Sequence, residues 1–312
     1  MTSPTAERWS LVAAVAMMGV WGVNFAVTKY VLDAIGVGPF LFIRYLVTPL
    51  LAFGLLAMIL RRHLARSWPR RADLPRFAAA GLIGHTLHVG LVTWGIHLST
   101  AFSSALVLTS GPLFTLLILA LAGGERLRAR QLIGTGAAFA GIVLFLSDKF
   151  AGGLALAGAG DLVLLLAASL FSLYTVISRP LVSRYGPLNV MVYSLMFGAP
   201  PLVVLSTPAF FALSLADVPA GVWAGVAWAA IVSAFLGWLV WAWVNAVRGV
   251  ARSAPLMYLM PPIAGLVAWM TLGETFTWLK IAGATLTMAG VAWAQFGGRR
   301  APPREAAEPD SG

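Results

Sequence analysis

Any chemistry in this chain must come from a few polar residues embedded in long apolar runs. His88 stands in the middle of one such run, with His85 three residues earlier and His97 towards its end. Imidazole changes charge near neutral pH, and an ionisable group at membrane depth is a functional candidate because burying it is expensive. The segment His85-Thr-Leu-His88 has no nearby carboxylate or cysteine to complete a coordination shell, so no metal site is expected. Asn24 follows Trp21 by three residues, which turns both to one side of a helix. Trp238, Trp241 and Asn245 repeat that pattern, and Trp94, Tyr174, Tyr193 and Tyr258 sit inside other apolar runs. Aromatic faces hold a ring by stacking and an amine by cation–π attraction. The candidate substrate-binding set is therefore His88, Trp21, Asn24, Tyr174, Trp238, Trp241, Trp94 and Tyr258, with core packing as the alternative for any single aromatic. Lys29 and Arg44 lie in the outer parts of the first two runs. Such side chains either snorkel to the interface or capture a substrate carboxylate.

Missing groups narrow the chemistry further. Asp33, Glu125, Asp148, Asp161, Asp217 and Glu274 all fall at the ends of apolar runs, which argues against a carboxylate proton relay through the membrane. Coupling through His88 or simple downhill flux remain the alternatives. Within the apolar runs no serine or carboxylate pairs with a histidine at helical spacing, so nothing points to an enzyme. The phosphate-binding pattern G-x-x-x-x-G-K-[ST] does not occur, and neither a nucleotide engine nor any other cofactor is expected. With no cysteine there is no disulfide framework.

The elements that must position these residues follow from composition. Of 312 residues 60% are hydrophobic and 10% charged, with a mean hydropathy of +0.87, whereas soluble domains carry about a quarter charged residues. A membrane span needs about 20 apolar residues. Ten runs qualify, near 9–30, 39–60, 75–97, 103–122, 129–147, 160–179, 188–206, 220–247, 252–271 and 278–297. They are continuously apolar rather than alternating, so they read as helices, which satisfy their own backbones in lipid. The first is too long for a signal peptide and reads as a retained span. The net charge of +10 lies in the connections. Arginines fill alternate loops, at 61–76, 126–130, 179–184, 248–252 and 299–304 with Arg8, while the other side has only Lys149 and Lys280, plus Lys29 at a span end. The bias puts both termini in the cytoplasm and makes nucleic acid an unneeded partner.

The chain also repeats itself. Ser104 meets Ser253, Pro112 meets Pro261, Gly124-Glu125 meets Gly273-Glu274, and Gly134 and Gly141 meet Gly283 and Gly290, every pair 149 positions apart. Residues 1–148 and 149–297 read as two five-helix units, followed by a disordered tail over 298–312. Five is odd, so the second unit must be inverted relative to the first, an arrangement that places a substrate site between the halves near the midplane. The small residues Gly134, Ala138, Gly141 and Gly283, Thr287, Gly290 line one face each of the fifth and tenth spans and predict close packing or a dimer face. Gly111-Pro112 and Pro261-Pro262 interrupt the fourth and ninth spans at equivalent depth, and proline there bends a helix. These four are hinge candidates, with a static kink as the alternative. Glu125 and Glu274 are expected to cap helices or pair with arginines.

The repeated Gly-Glu pair followed by a small-residue helix, in a ten-span chain of this length, resembles the EamA-type branch of the drug/metabolite transporter superfamily. The whole pattern is similar to its YddG-like exporters of aromatic amino acids and other metabolites. That resemblance implies an all-α membrane protein of ten helices in two inverted repeats, with a central cavity and alternating access. The expected activity is export of amino acids or related small metabolites across the cytoplasmic (inner) membrane, by a monomer or homodimer in the lipid bilayer. An exporter of lipophilic cations is the first alternative, but it would need a buried anion; an intramembrane enzyme and a channel follow.

Overall fold

In lipid a backbone must satisfy its own hydrogen bonds, and the apolar runs do so almost entirely as helix. The computed structural model describes residues 4–60, 68–121, 129–151, 155–248 and 253–296. Glu125, Arg61, Arg62, Arg66, Arg126, Arg128, Arg252 and the expected tail at 298–312 lie outside the described residues.

In chain order the helices are α1 (Pro4–Ile35), α2 (Val37–Leu60), α3 (Leu74–Gly81), α4 (His88–Leu98), α5 (Ala101–Leu108), α6 (Gly111–Leu121), α7 (Ala129–Ala151), α8 (Ala155–Tyr185), α9 (Pro187–Phe211), α10 (Ala220–Ala227), α11 (Gly237–Arg248), α12 (Met260–Leu272) and α13 (Trp278–Phe296). A π-helical segment, Leu82–Leu87, fuses α3 to α4, and another, Trp228–Leu236, fuses α10 to α11. Among the described residues seven helices are long and apolar enough to cross a membrane, and shorter apolar stretches run over Ala101–Thr115 and Leu256–Leu272. The outside is correspondingly greasy: Leu50, Met58, Val143, Leu205, Phe211 and Met270 are all exposed. Water would penalise such a surface and acyl chains do not. Trp9, Trp278 and Trp293 are exposed as well, and the Arg130 guanidinium lies 4.8 Å from the centre of the Trp293 ring.

Two tight turns are made by glycine because both need a left-handed backbone: Gly36 (φ 77°) joins α1 to α2, and Gly186 (φ 79°) joins α8 to α9. The helices after these turns, α2 and α9, pack on each other. Helix α1 packs against α11 and α12, while α8 packs against α4 and α6. The largest core cluster is built around Phe40, Phe77, Tyr193 and Leu164.

Helices α7 and α13 meet through the predicted small-residue faces. A Cβ on Gly134 would fall 2.5 Å from Ala294 N and 2.7 Å from Gly290 O, and one on Gly141 would fall 2.4 Å from Thr287 N. The reciprocal contacts put Gly283 against Phe145 and Gly141, and Gly290 against Ala138 and Gly134. As one chain position rises the other falls, so the two helices are antiparallel. Their small faces are occupied by each other within a single chain.

The proline pairs stand where helices break. α5 ends at Leu108, and Gly111-Pro112 opens α6 after a two-residue turn. A 3₁₀ segment, Ala254–Leu259, precedes α12, whose first turn carries Pro261 and Pro262. Ser172 Oγ of α8 donates to Gly111 O at 2.7 Å, tying the first break to its neighbour. Glu274 caps as expected: its Oε1 accepts from Ala101 N at 2.6 Å, at the positive end of α5.

Candidate functional site

The two π-helical segments are the local devices that create a site. A π turn holds one residue more than an α turn, so it leaves carbonyls less tightly engaged, and such turns cluster at functional places. Neighbouring side chains answer those carbonyls here. Tyr45 Oη donates to His85 O at 3.2 Å, Thr48 Oγ1 to Ala230 O at 3.2 Å, and Trp21 Nε1 to Ser233 O at 3.0 Å. Each bond pins α1 or α2 to a widened turn.

Between the widened turns lies a cavity of about 170 Å³, comparable to the ~150 Å³ cavities that take up a benzene ring. From the N-terminal part of the chain, α2 contributes Arg44, Tyr45, Thr48 and Ala52, and the first π segment with α4 contributes Gly84, His85, His88, Val89 and Val92. From the C-terminal part come Phe171 and Tyr174 on α8, Met191 and Leu195 on α9, and Ala234, Phe235 and Trp238 around the second π segment. Among the described residues no Asp or Glu lines it.

The tautomer of His88 follows from its partner. Nδ1 lies 2.8 Å from Ala167 O, and a carbonyl can only accept, so Nδ1 carries the proton and the neutral ring keeps Nε2 as its acceptor. The His88 ring lies 5.0 Å from that of Phe171, and the His85 ring 5.7 Å from that of Tyr174. Gly84 makes room for Tyr174, since a Cβ there would sit 2.4 Å from the tyrosine ring. Glycine inside a helix costs stability, and here it admits an aromatic wall to the cavity.

Of the residues expected to bind substrate, the structure brings His88, Tyr174 and Trp238 together on the cavity wall. Trp21 and Trp241 stand one layer behind. The Trp21 ring centroid is 6.4 Å from that of Trp238 and 5.5 Å from that of Trp241. Asn24 is half-buried on α1 with Oδ1 lacking a hydrogen-bond partner, away from the cavity lining. Trp94 is half exposed beside His97. Tyr258 packs with Leu113 and Ala138 in a separate cluster between α6, α7 and α13. Lys29 is engaged elsewhere, donating to His97 O at 2.6 Å and pairing with Asp33 at 3.1 Å. Among the lining residues outside that candidate set are Arg44, Tyr45, His85 and Phe171. The spacings His85/His88 and Phe171/Tyr174 carried a signal, because residues three apart share a helix face.

One charged cluster lies beyond the cavity. Arg184 Nη1 donates to both carboxylate oxygens of Asp73 at 2.9 and 2.7 Å, and Tyr185 Oη donates to Asp73 Oδ2 at 2.6 Å. Arg70 N donates to Tyr185 Oη at 3.1 Å. The end of α8 is thereby tied to the start of α3.

A model of the EamA-like transporter family matches this chain twice, over residues 8–147 and 158–295. The chain is 31% identical to the probable terminal-alkyne amino-acid exporter of Streptantibioticus cattleyicolor over 284 residues, covering 91% of each chain. It is 25% identical to the probable amino-acid metabolite efflux pump of Escherichia coli, over 92% of this chain and 94% of that one. A crystal structure that is 21% identical superposes with a TM-score of 0.59, covering 95% of this chain and 100% of that chain, and so shares the fold.

Proposed function

Because the chain belongs to the EamA-like transporter family, it is a membrane transporter and not an enzyme, and we propose that it exports amino acids, aromatic ones included, or related small metabolites. The route is the cavity between the two parts of the chain, opened to each side of the cytoplasmic membrane in turn. The observation that carries this reading is the cavity's lining: both α2 and α9, and both π segments, contribute to it. An aromatic-walled space that admits a small ring suits such a cargo. The relatives named as amino-acid exporters support the same class.

The same proposal includes ten spans in two inverted five-helix repeats, 1–148 and 149–297, with both termini cytoplasmic. Four features support it. The family matches twice, the glycine turns at Gly36 and Gly186 correspond, and the two π segments end at Leu87 and Leu236. The contacts between α7 and α13 are reciprocal and antiparallel, as an inverted pair requires. His88, Tyr174 and Trp238 are the proposed substrate contacts, backed by Trp21 and Trp241. The breaks at Gly111-Pro112 and Pro261-Pro262 are the proposed hinges. Export of lipophilic cations is the weaker reading, since the wall offers Arg44 and no carboxylate.

Purified protein in liposomes loaded with labelled phenylalanine tests the proposal. Saturable efflux, accelerated by unlabelled amino acid on the other side, is the expected result. Absence of flux for every amino acid tried contradicts it.

A further inference from the structure

Among the described residues the cavity wall contains one permanent cation and no carboxylate to neutralise it. Arg44 lines the cavity, and among the described residues no Asp or Glu does and no carboxylate pairs with its guanidinium. Its Cζ rests 5.7 Å from the centre of the Phe40 ring, a contact that contributes little beside the cost of holding an unpaired charge at membrane depth. Lys29, the other basic residue of the first two helices' inner faces, shows the usual solution: it holds Asp33 and a backbone carbonyl. Most other polar groups on the wall are engaged. Tyr45, Thr48 and His88 Nδ1 all reach backbone carbonyls. Besides Arg44, His85 stands out, since its Nε2 is buried without a hydrogen-bond partner.

On the reading that this cavity is the transport site, we propose that Arg44 anchors the carboxylate of the cargo and that the transported class is therefore small organic carboxylates, with the amino group dispensable. A planar guanidinium matches a carboxylate with two parallel hydrogen bonds, and His85 can add a third donor when its Nε2 carries the proton. The cargo supplies the counter-charge that the protein lacks. Phe171, Tyr174 and Trp238 face the organic part of the molecule. Among the described residues the wall has no carboxylate to pair with an ammonium, so an N-acylated amino acid should be accepted while an amino-acid amide should not.

The test is calorimetric binding to the purified full-length protein, with N-acetyl-L-phenylalanine and L-phenylalaninamide as probes. The expected result is ~10-fold or greater preference for the acid over the amide. Arg44→Met should abolish that preference without lowering the thermal unfolding temperature, because it removes a charge that no protein carboxylate among the described residues compensates. Arg44→Lys should keep the preference in weakened form. Equal binding of acid and amide, absence of acid binding, or a preference that survives Arg44→Met overturns the proposal. So does a large drop in unfolding temperature for Arg44→Met, which would make the residue structural. Phenylalanine flux in liposomes is read separately. Lost flux with intact acid preference removes the exporter reading and leaves the anchor, whereas flux without acid preference removes the anchor alone.

Discussion

The two stretches that match the family repeat one scaffold, yet they put different chemistry on it. Counted from the turn glycines Gly36 and Gly186, Trp21 and Asn24 on α1 hold the places of Phe171 and Tyr174 on α8. Counted by the 149-residue repeat, Gly237 holds the place of His88. In one half the imidazole of His88 sits beside Phe171 at the cavity. In the other, Gly237 has no side chain, and Trp21 closes into that space: a Cβ on Gly237 would fall 2.8 Å from Trp21 Nε1. The corresponding volume is filled with indole instead of being left open. Arg44 and Tyr45 likewise have Ser194 and Leu195 as counterparts. Scaffold positions, namely turn glycines, π turns and small helix faces, are kept in both halves. Cationic and imidazole groups are concentrated in the first half, and the second supplies Phe171, Tyr174 and Trp238.

The sharpest way to break the comparison is at the shared scaffold. Gly141→Leu should abolish the folded, monodisperse protein in detergent, because even a Cβ there meets the backbone and side chain of Thr287 at about 2.4–2.5 Å. Gly136→Leu, on the same helix with nothing within 4 Å, should leave size-exclusion behaviour unchanged. Equal behaviour of the two would deny that α7 and α13 pack as described.

Smaller effects separate the halves. His88→Ala should cut flux about tenfold by removing a hydrogen-bonding group from the cavity wall, with little change in melting. Gly237→Ala should do the reverse, destabilising by ~1–3 kcal/mol through overpacking against Trp21 and Met17 while flux per folded molecule holds. The opposite pattern would mean that the second half carries the chemistry. The smallest effect belongs to the charged tie. Asp73 is nearly buried against Arg184 and Tyr185, and its counterpart is the buried apolar Val222. Since the Arg184 side chain is 55% exposed, solvent screens the pair and Asp73→Asn should lower the thermal unfolding temperature only slightly. An effect as large as that of Gly237→Ala would make this tie a principal support of the fold.

Much of this was legible in the residues. Runs of apolar sequence gave the helices, the 149-residue repeat led to the glycine faces of α7 and α13, and the polar residues inside runs pointed to His88, Tyr174 and Trp238. What stayed hidden has a physical cause. A π turn carries no proline or other marker, and its extra residue breaks the 3.6 count on which face assignments depend. Helical spacing also says which residues share a face, but not what occupies that face. Trp21 and Trp238 could both have met a lumen, and Gly237 decides that only Trp238 does. Arg44 was visible as a basic residue within a span; that no carboxylate among the described residues pairs with it emerges only from the fold.

The central claim is that one cavity serves both sides of the membrane. The chain has no cysteine, so a single one introduced by Val89→Cys on the cavity wall can be probed with a membrane-impermeant maleimide from either face of oriented vesicles. Labelling from both faces, with saturating phenylalanine slowing both, is predicted. Labelling confined to one face under all conditions would contradict alternating access through this cavity.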